Sequence, residues 1–154
     1  MKRIISLLSA CMLLFCLTAC GSAHRLDSSY KGRVEFTDGS LSCTGDLTAD
    51  GDTLTLSITS PENLSGISYE YRGGELHTTL NGLECVIPAD GLPASAIPTL
   101  LHELFARSDE AEYQCTDDGA DTFLLHTDAG DMTVTAKDGV PSSLTFGSRT
   151  VRFT

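Results

Sequence analysis

The sequence predicts a mainly β protein: a curved antiparallel sheet or half-barrel of about ten strands, with one helix packed on the concave face. Three observations carry this. Apolar and polar residues alternate with period two over most of residues 30–154. Turn dipeptides cut the alternation at short intervals, as at Asp38-Gly39, Asp50-Gly51, Gly73-Gly74, Asn81-Gly82 and Asp138-Gly139. A single stretch, residues 94–107, has apolar residues at three- and four-residue spacing instead.

In order, Val34 and Phe36 share a face before the first turn. Leu41, Cys43, Gly45 and Leu47 follow, with Ser42, Thr44 and Asp46 opposite. Leu54, Leu56 and Ile58 alternate with threonine and serine, the pattern of a half-exposed antiparallel strand. Pro61 ends that strand because it has no N–H to donate. Ile67, Tyr69 and Tyr71 make the next run, Leu76, Thr78 and Leu80 return from it, and Leu83 to Ile87 closes at Pro88. Ile97, Leu100, Leu101, Leu104 and Phe105 then mark the helix, with Ser95 as expected cap and Pro98 in the first turn, where a missing donor costs little. Alternation resumes at Tyr113 and Cys115, Phe123 and Leu125, Met132 to Ala136, Leu144 and Phe146, and Val151 and Phe153. Twisted sheets of this many strands curl, and the apolar helix stripe needs a surface, so the helix is expected across the concave side.

Ahead of this domain, Met1-Lys2-Arg3 and the apolar stretch Ile4 to Leu17 form a charged and an apolar region too short to span a bilayer as a helix. Leu17-Thr18-Ala19-Cys20 ends it and resembles the lipobox of bacterial lipoproteins. The resemblance implies cleavage before Cys20, a diacylglyceryl thioether on Cys20 and a durable acyl anchor. The expected organisation is a lipoprotein signal peptide over residues 1–19, a lipidated cysteine with a flexible tether over 20–29, and a β domain over 30–154. The expected location is the extracytoplasmic face of a bacterial membrane, most simply the cell membrane of a Gram-positive organism.

Charge narrows the partners. Lys2 and Arg3 precede Cys20, so eight basic residues face 21 acidic ones in the remaining 135, a net charge of −13. A nucleic-acid backbone requires clustered Lys and Arg, so nucleic acid is excluded as a partner. Anionic headgroups repel the domain, which leaves the Cys20 anchor as its hold on the bilayer. Cys43, Cys85 and Cys115 remain beyond Cys20. One disulfide is feasible in an exported chain, by any of three pairings among which the sequence does not choose; Cys85–Cys115 is favoured because both flank the helix, and three reduced cysteines are the alternative.

No catalytic or metal-ligating pattern is present, and no cofactor is expected. His102-Glu103 lacks the second histidine of a zinc-protease helix, since Ala106 stands there. Asp46, Asp50, Gly51 and Asp52 echo a calcium loop, but Ser57 occupies the bidentate glutamate position, and an Asx-type hairpin turn explains them. Asp117, Asp118 and Asp121 offer at most a weak calcium site, and a solvated turn is the expected reading. No serine lies in a nucleophile elbow, and no glycine-rich phosphate loop leads into a helix. The chain is read as non-enzymatic.

Ser60-Pro61-Glu62-Asn63-Leu64-Ser65-Gly66, the Gly73-Gly74 hairpin, Asn81-Gly82-Leu83, Leu92-Pro93 leading into a Leu-rich helix, and Asp138-Gly139-Val140-Pro141 occur in this order. In that order the chain, over roughly residues 30–154, resembles the LolA/LolB-like fold of bacterial lipoprotein carriers and receptors. The resemblance implies a half-barrel whose apolar interior takes acyl chains. The inward positions would be Val34, Phe36, Leu54, Leu56, Ile58, Tyr69, Tyr71, Leu100, Leu104, Phe123 and Phe146. The chain is shorter than the carriers, has one clear helix and lacks tryptophan. Two readings follow: a lipid or acylated ligand in the half-barrel, or an envelope protein-interaction module with a filled core.

Overall fold

The computed structural model describes residues 24–154. The expected signal peptide, the expected lipobox and Cys20 lie outside the described residues. Eleven strands form one antiparallel sheet. They are β1 (Ser29–Asp38), β2 (Leu41–Asp50), β3 (Thr53–Ser60), β4 (Ile67–Arg72), β5 (Glu75–Leu80), β6 (Leu83–Pro88), β7 (Glu112–Asp117), β8 (Ala120–Thr127), β9 (Gly130–Lys137), β10 (Val140–Phe146) and β11 (Arg149–Phe153). The helix α1 (Ile97–Ala106) lies between β6 and β7, flanked by single 3-10 turns at Ala89–Gly91 and Ser108–Glu110. Among the described residues no helix is long and apolar enough to cross a membrane.

The sheet order is β6-β5-β4-β3-β2-β1-β11-β10-β9-β8-β7. Two meanders, β1 to β6 and β7 to β11, are thus joined by pairing of the first and last strands, with Val34 opposite Phe153 and Phe36 opposite Val151. The chain leaves one edge at β6 and re-enters at the other edge, β7, with α1 in the connection. Register shifts at Thr44/Gly45, Tyr113/Cys115 and Pro141/Ser143 place bulges in both meanders, and each adds bend and twist to its strand.

Alternation places Leu54, Leu56 and Ile58 of β3 and Met132, Val134 and Ala136 of β9 in the core. Their threonines face outward or are half covered. Leu100, Leu101, Leu104 and Phe105 of α1 complete a single apolar cluster with both meanders. Gly45 is there because there is no room for a side chain: a Cβ would lie 2.7 Å from the Ser57 carbonyl oxygen of β3.

Several expectations need correction. The helix is shorter than residues 94–107, because Pro98 fixes its first turn and Ala96 is its N-terminal flank; Ser95 is not the cap, and no side chain caps it. Cys43, Cys85 and Cys115 are all free, since Cys85 and Cys115 lie in β6 and β7, the opposite edges of the sheet. Residues 24–28, which fall within the expected tether, are packed on the domain. Leu26 is buried in the core, the Asp27 N–H donates to the Gly139 carbonyl (2.9 Å), and the Gly51 N–H donates to the Ser28 carbonyl (2.9 Å).

Candidate functional site, the concave face of the sheet

Strand register sets out the concave face in rows. Leu54, Tyr71, Leu76 and Ile87 lie side by side across β3 to β6. Leu47, Leu56, Tyr69, Thr78 and Cys85 form the next row. Ile67, Leu80 and Leu83 form the row at the end marked by the Asn81-Gly82 turn. The face is therefore apolar along the whole length of these strands, with a few hydroxyl and thiol groups set into it.

Helix α1 is fixed at the end opposite Asn81-Gly82. The Tyr71 hydroxyl pairs with Thr99 Oγ1 at 3.0 Å. His102 stacks on Tyr71, and its Nε2 donates to the Asp52 carbonyl at 3.1 Å. Phe105 meets the edge of Phe153 and lies over Tyr30, whose hydroxyl donates to the carbonyls of Arg33 (3.0 Å) and Thr154 (3.1 Å). Beyond the helix, Arg107 reaches both Glu103 (3.0 Å) and Glu110 (2.6 Å). These partners hold the guanidinium pKa above its usual value and the Glu110 carboxyl below the usual range.

The predicted lining residues divide into two groups. Leu56, Tyr71, Leu100, Leu104 and Phe123 are in the packed core beneath or beside the helix, and Phe36 and Ile58 are buried at its margin. Leu56, Leu100 and Leu104 have no surface open to a water-sized sphere, so no void of that size touches them. Tyr69 and Phe146 are half-buried and pack against the core from the side. Burial raises the Tyr69 phenol pKa, and the neighbouring Cys43 thiol raises it further. Burial raises the Tyr71 phenol as well, with the Thr99 hydrogen bond partly offsetting it.

Sequence reasoning did not single out the rim at the uncovered end. Leu83 is 77% exposed, Leu41 48% and Leu80 45%. All three stand at the same end of the β1–β6 meander and on the concave side, next to the half-buried Leu64 and Ile67. The available signal was Leu83 directly after Asn81-Gly82, an apolar residue where a turn normally brings polar ones. At the helix-covered end, a cleft of about 330 Å³ opens among Tyr71, Leu92, Thr99, His102, Glu103 and Thr127. A second cleft, of about 350 Å³, lies on the Asp52 and Gly73 side of the same Tyr71–His102 stack.

No protein-family model matches the chain, and no curated protein matches it. Among solved structures, a crystal structure of a LolA superfamily protein from Nitrosomonas europaea is similar to it, with 10% identity, 85% of this chain and 86% of that chain covered, and a TM-score of 0.48. The architecture in hand is mainly β, an open curved antiparallel sheet of eleven strands with one α-helix among the described residues. No group of three or more His, Cys, Asp or Glu positioned for a metal occurs among the described residues.

Proposed function

We propose that this protein is a membrane-anchored bacterial envelope lipoprotein, held by acyl chains on Cys20, that binds a lipid or acylated ligand non-enzymatically on the apolar concave face. The observation that carries the reading is the continuation of that face beyond the helix. The rows through Tyr69, Ile67, Leu80 and Leu83 run from the packed core out to side chains that solvent reaches. Burying exposed leucine surface is favourable by about 25 cal/mol per Å², and an acyl chain has the shape to lie along such a row. Few polar groups interrupt the row, which suits an apolar tail and gives little purchase to a sugar or nucleotide.

In this reading the ligand enters at the Leu41, Leu80 and Leu83 rim, and a longer chain displaces α1 from the far end. The test is native mass spectrometry and lipid extraction of protein lacking residues 1–20, together with an apolar fluorescent probe. A co-purifying lipid, or probe binding that Leu83→Asp weakens, is the expected result. A protein free of lipid that leaves the probe unbound overturns the reading.

One observation favours the second reading, an interaction module without a ligand cavity. The core under α1 is filled, since Leu56, Leu100 and Leu104 leave no water-sized space. That reading expects no lipid and one specific envelope protein captured by crosslinking in intact cells. Labelling of the Cys20 lipid with radioactive palmitate, lost in Cys20→Ala, tests the anchor independently of either reading.

A further inference from the structure

The two edges of the sheet differ. Strand β7 carries Glu112 and Asp117 and is broken by the bulge at Tyr113/Cys115, features that discourage pairing with another chain. Strand β6 reads Leu83-Glu84-Cys85-Val86-Ile87-Pro88, has one charge and shows no register shift against β5. Five of its six residues are exposed. It is an unbulged, mostly apolar edge that pairs with no second strand among the described residues.

The phase of the β5–β6 ladder tells which groups face the free side. Asn81 and Gly82 take positive φ values of 50° and 84°, a two-residue type I′ turn, so the flanking residues Leu80 and Leu83 form a hydrogen-bonded pair. At the other end the Ala89 N–H donates to the Gly74 carbonyl. Strict alternation between these ends makes Thr78–Cys85 and Leu76–Ile87 hydrogen-bonded pairs too, and Glu75–Pro88 a non-bonded one, as proline requires. The N–H and C=O groups of Glu84 and Val86 therefore point away from the sheet.

We propose that β6 is a self-pairing surface, and that two copies of the chain join antiparallel along β6 about a two-fold axis at Cys85. A two-fold contact must be complementary to itself, and this register is. Leu83 lies opposite Ile87 of the second copy, and Glu84 opposite Val86, with no like charges facing. Glu84 and Val86 exchange backbone hydrogen bonds across the axis through the groups that β5 leaves free. Cys85 meets Cys85 as a non-bonded pair, with Cα atoms about 4.5 Å apart, within the ~4.4–6.8 Å range a disulfide spans. The other edge fits worse, because β7 would bring Glu112 and Asp117 onto an already acidic molecule. The concave rows of both copies then run together through Leu83 and Ile87.

The pairing is read by thiol–disulfide exchange. The full-length chain in detergent is exposed to oxidised glutathione, and dimer is followed on non-reducing gels. Two Cys85 thiols give up two protons and two electrons to form the bond, and glutathione disulfide leaves as two thiols. Covalent dimer is expected, lost in Cys85→Ser and retained in Cys115→Ser, although both cysteines are exposed. Val86→Lys, facing Glu84 of the second copy, is expected to speed trapping by about threefold, and Val86→Glu to slow it by about as much. Equal trapping through Cys115, or identical rates for the two Val86 variants, overturns the proposal. Val86 is 47% exposed and lies opposite His77 of β5, whose ring bonds Glu84 at 2.8 Å, so both variants are compared at the same position beside the same neighbour.

Discussion

His102 stacks on Tyr71 with ring centroids 4.4 Å apart and planes 17° from parallel. One residue belongs to the helix and the other to β4, and the same tyrosine reaches Thr99 one helical turn earlier. Together they fasten the start of α1 to the sheet, and they separate the two clefts at that end.

Tyr71→Phe keeps the ring and removes the hydroxyl pair with Thr99. It is expected to lower stability by about 1 kcal/mol. Tyr71→Ala also removes the buried ring under His102, and about 3–5 kcal/mol is expected from the large-to-small series. Urea denaturation of both variants checks this; equal losses would show that the ring does not support the helix.

Leu104→Ala opens space where no water-sized void exists now. A loss of about 2–5 kcal/mol is expected. In the ligand reading the same change widens the concave face, so apolar probe binding rises while the denaturation midpoint falls. Movement of both quantities in the same direction would count against that reading.

Gly45→Ala places a methyl group 2.7 Å from the Ser57 carbonyl oxygen and 3.1 Å from Leu56 Cδ1. The first neighbour is backbone and cannot rotate away. A cost of about 1–3 kcal/mol is expected, as for other overpacked sites, measured by thermal or urea unfolding. Gly51→Ala, at a turn with nothing within 4 Å, should show strain from its positive φ of 54° without any steric clash.

Residues 24–28 make a contact whose strength is expected to depend on pH. His24 lies on the Tyr113 ring (4.2 Å) and bonds Asp121 Oδ2 at 2.7 Å. The Thr116 hydroxyl first, and then His24, hold the Asp121 carboxyl below the usual carboxylate range. A lowered folded-state pKa means the contribution is complete above the unfolded value of about 4 and is lost as pH falls through the folded one. The segment is therefore expected to stay bound at pH 5 and to loosen on further acidification. Amide chemical shifts of Asp27 and Gly139 across the titration report this. Asp121→Asn should abolish the acidic step, and its persistence in that variant would assign it elsewhere.

Much of the architecture was legible because strands announce themselves locally. Leu54-Thr55-Leu56-Ser57-Ile58 can bury one face only as a strand, and Asp50-Gly51 can only turn. The apolar stripe of residues 97–105 likewise required a surface to cover. The candidate lining was legible as inward-facing, since direction follows from period two. Whether an inward residue is packed or open was not, because that depends on where the helix sits along the strands. Tyr69 and Tyr71 share a strand and a face, yet the helix covers Tyr71 and leaves Tyr69 half-buried.

The sequence by itself determined the alternation, the turns and the apolar stripe of the helix at residues 97–105, all of them properties of neighbours along the chain. Only the tertiary structure decided the rest. Pairing of β1 with β11 left β6 and β7 as the two edges, which separated Cys85 from Cys115 and kept both thiols free. The same pairing put the Gly139 turn beside Asp27, so that a polar stretch expected to be a loose tether found backbone and aromatic partners. The cause is common to both: which residues become neighbours across a sheet is set by the closure of distant strands, and no short window of sequence carries that information.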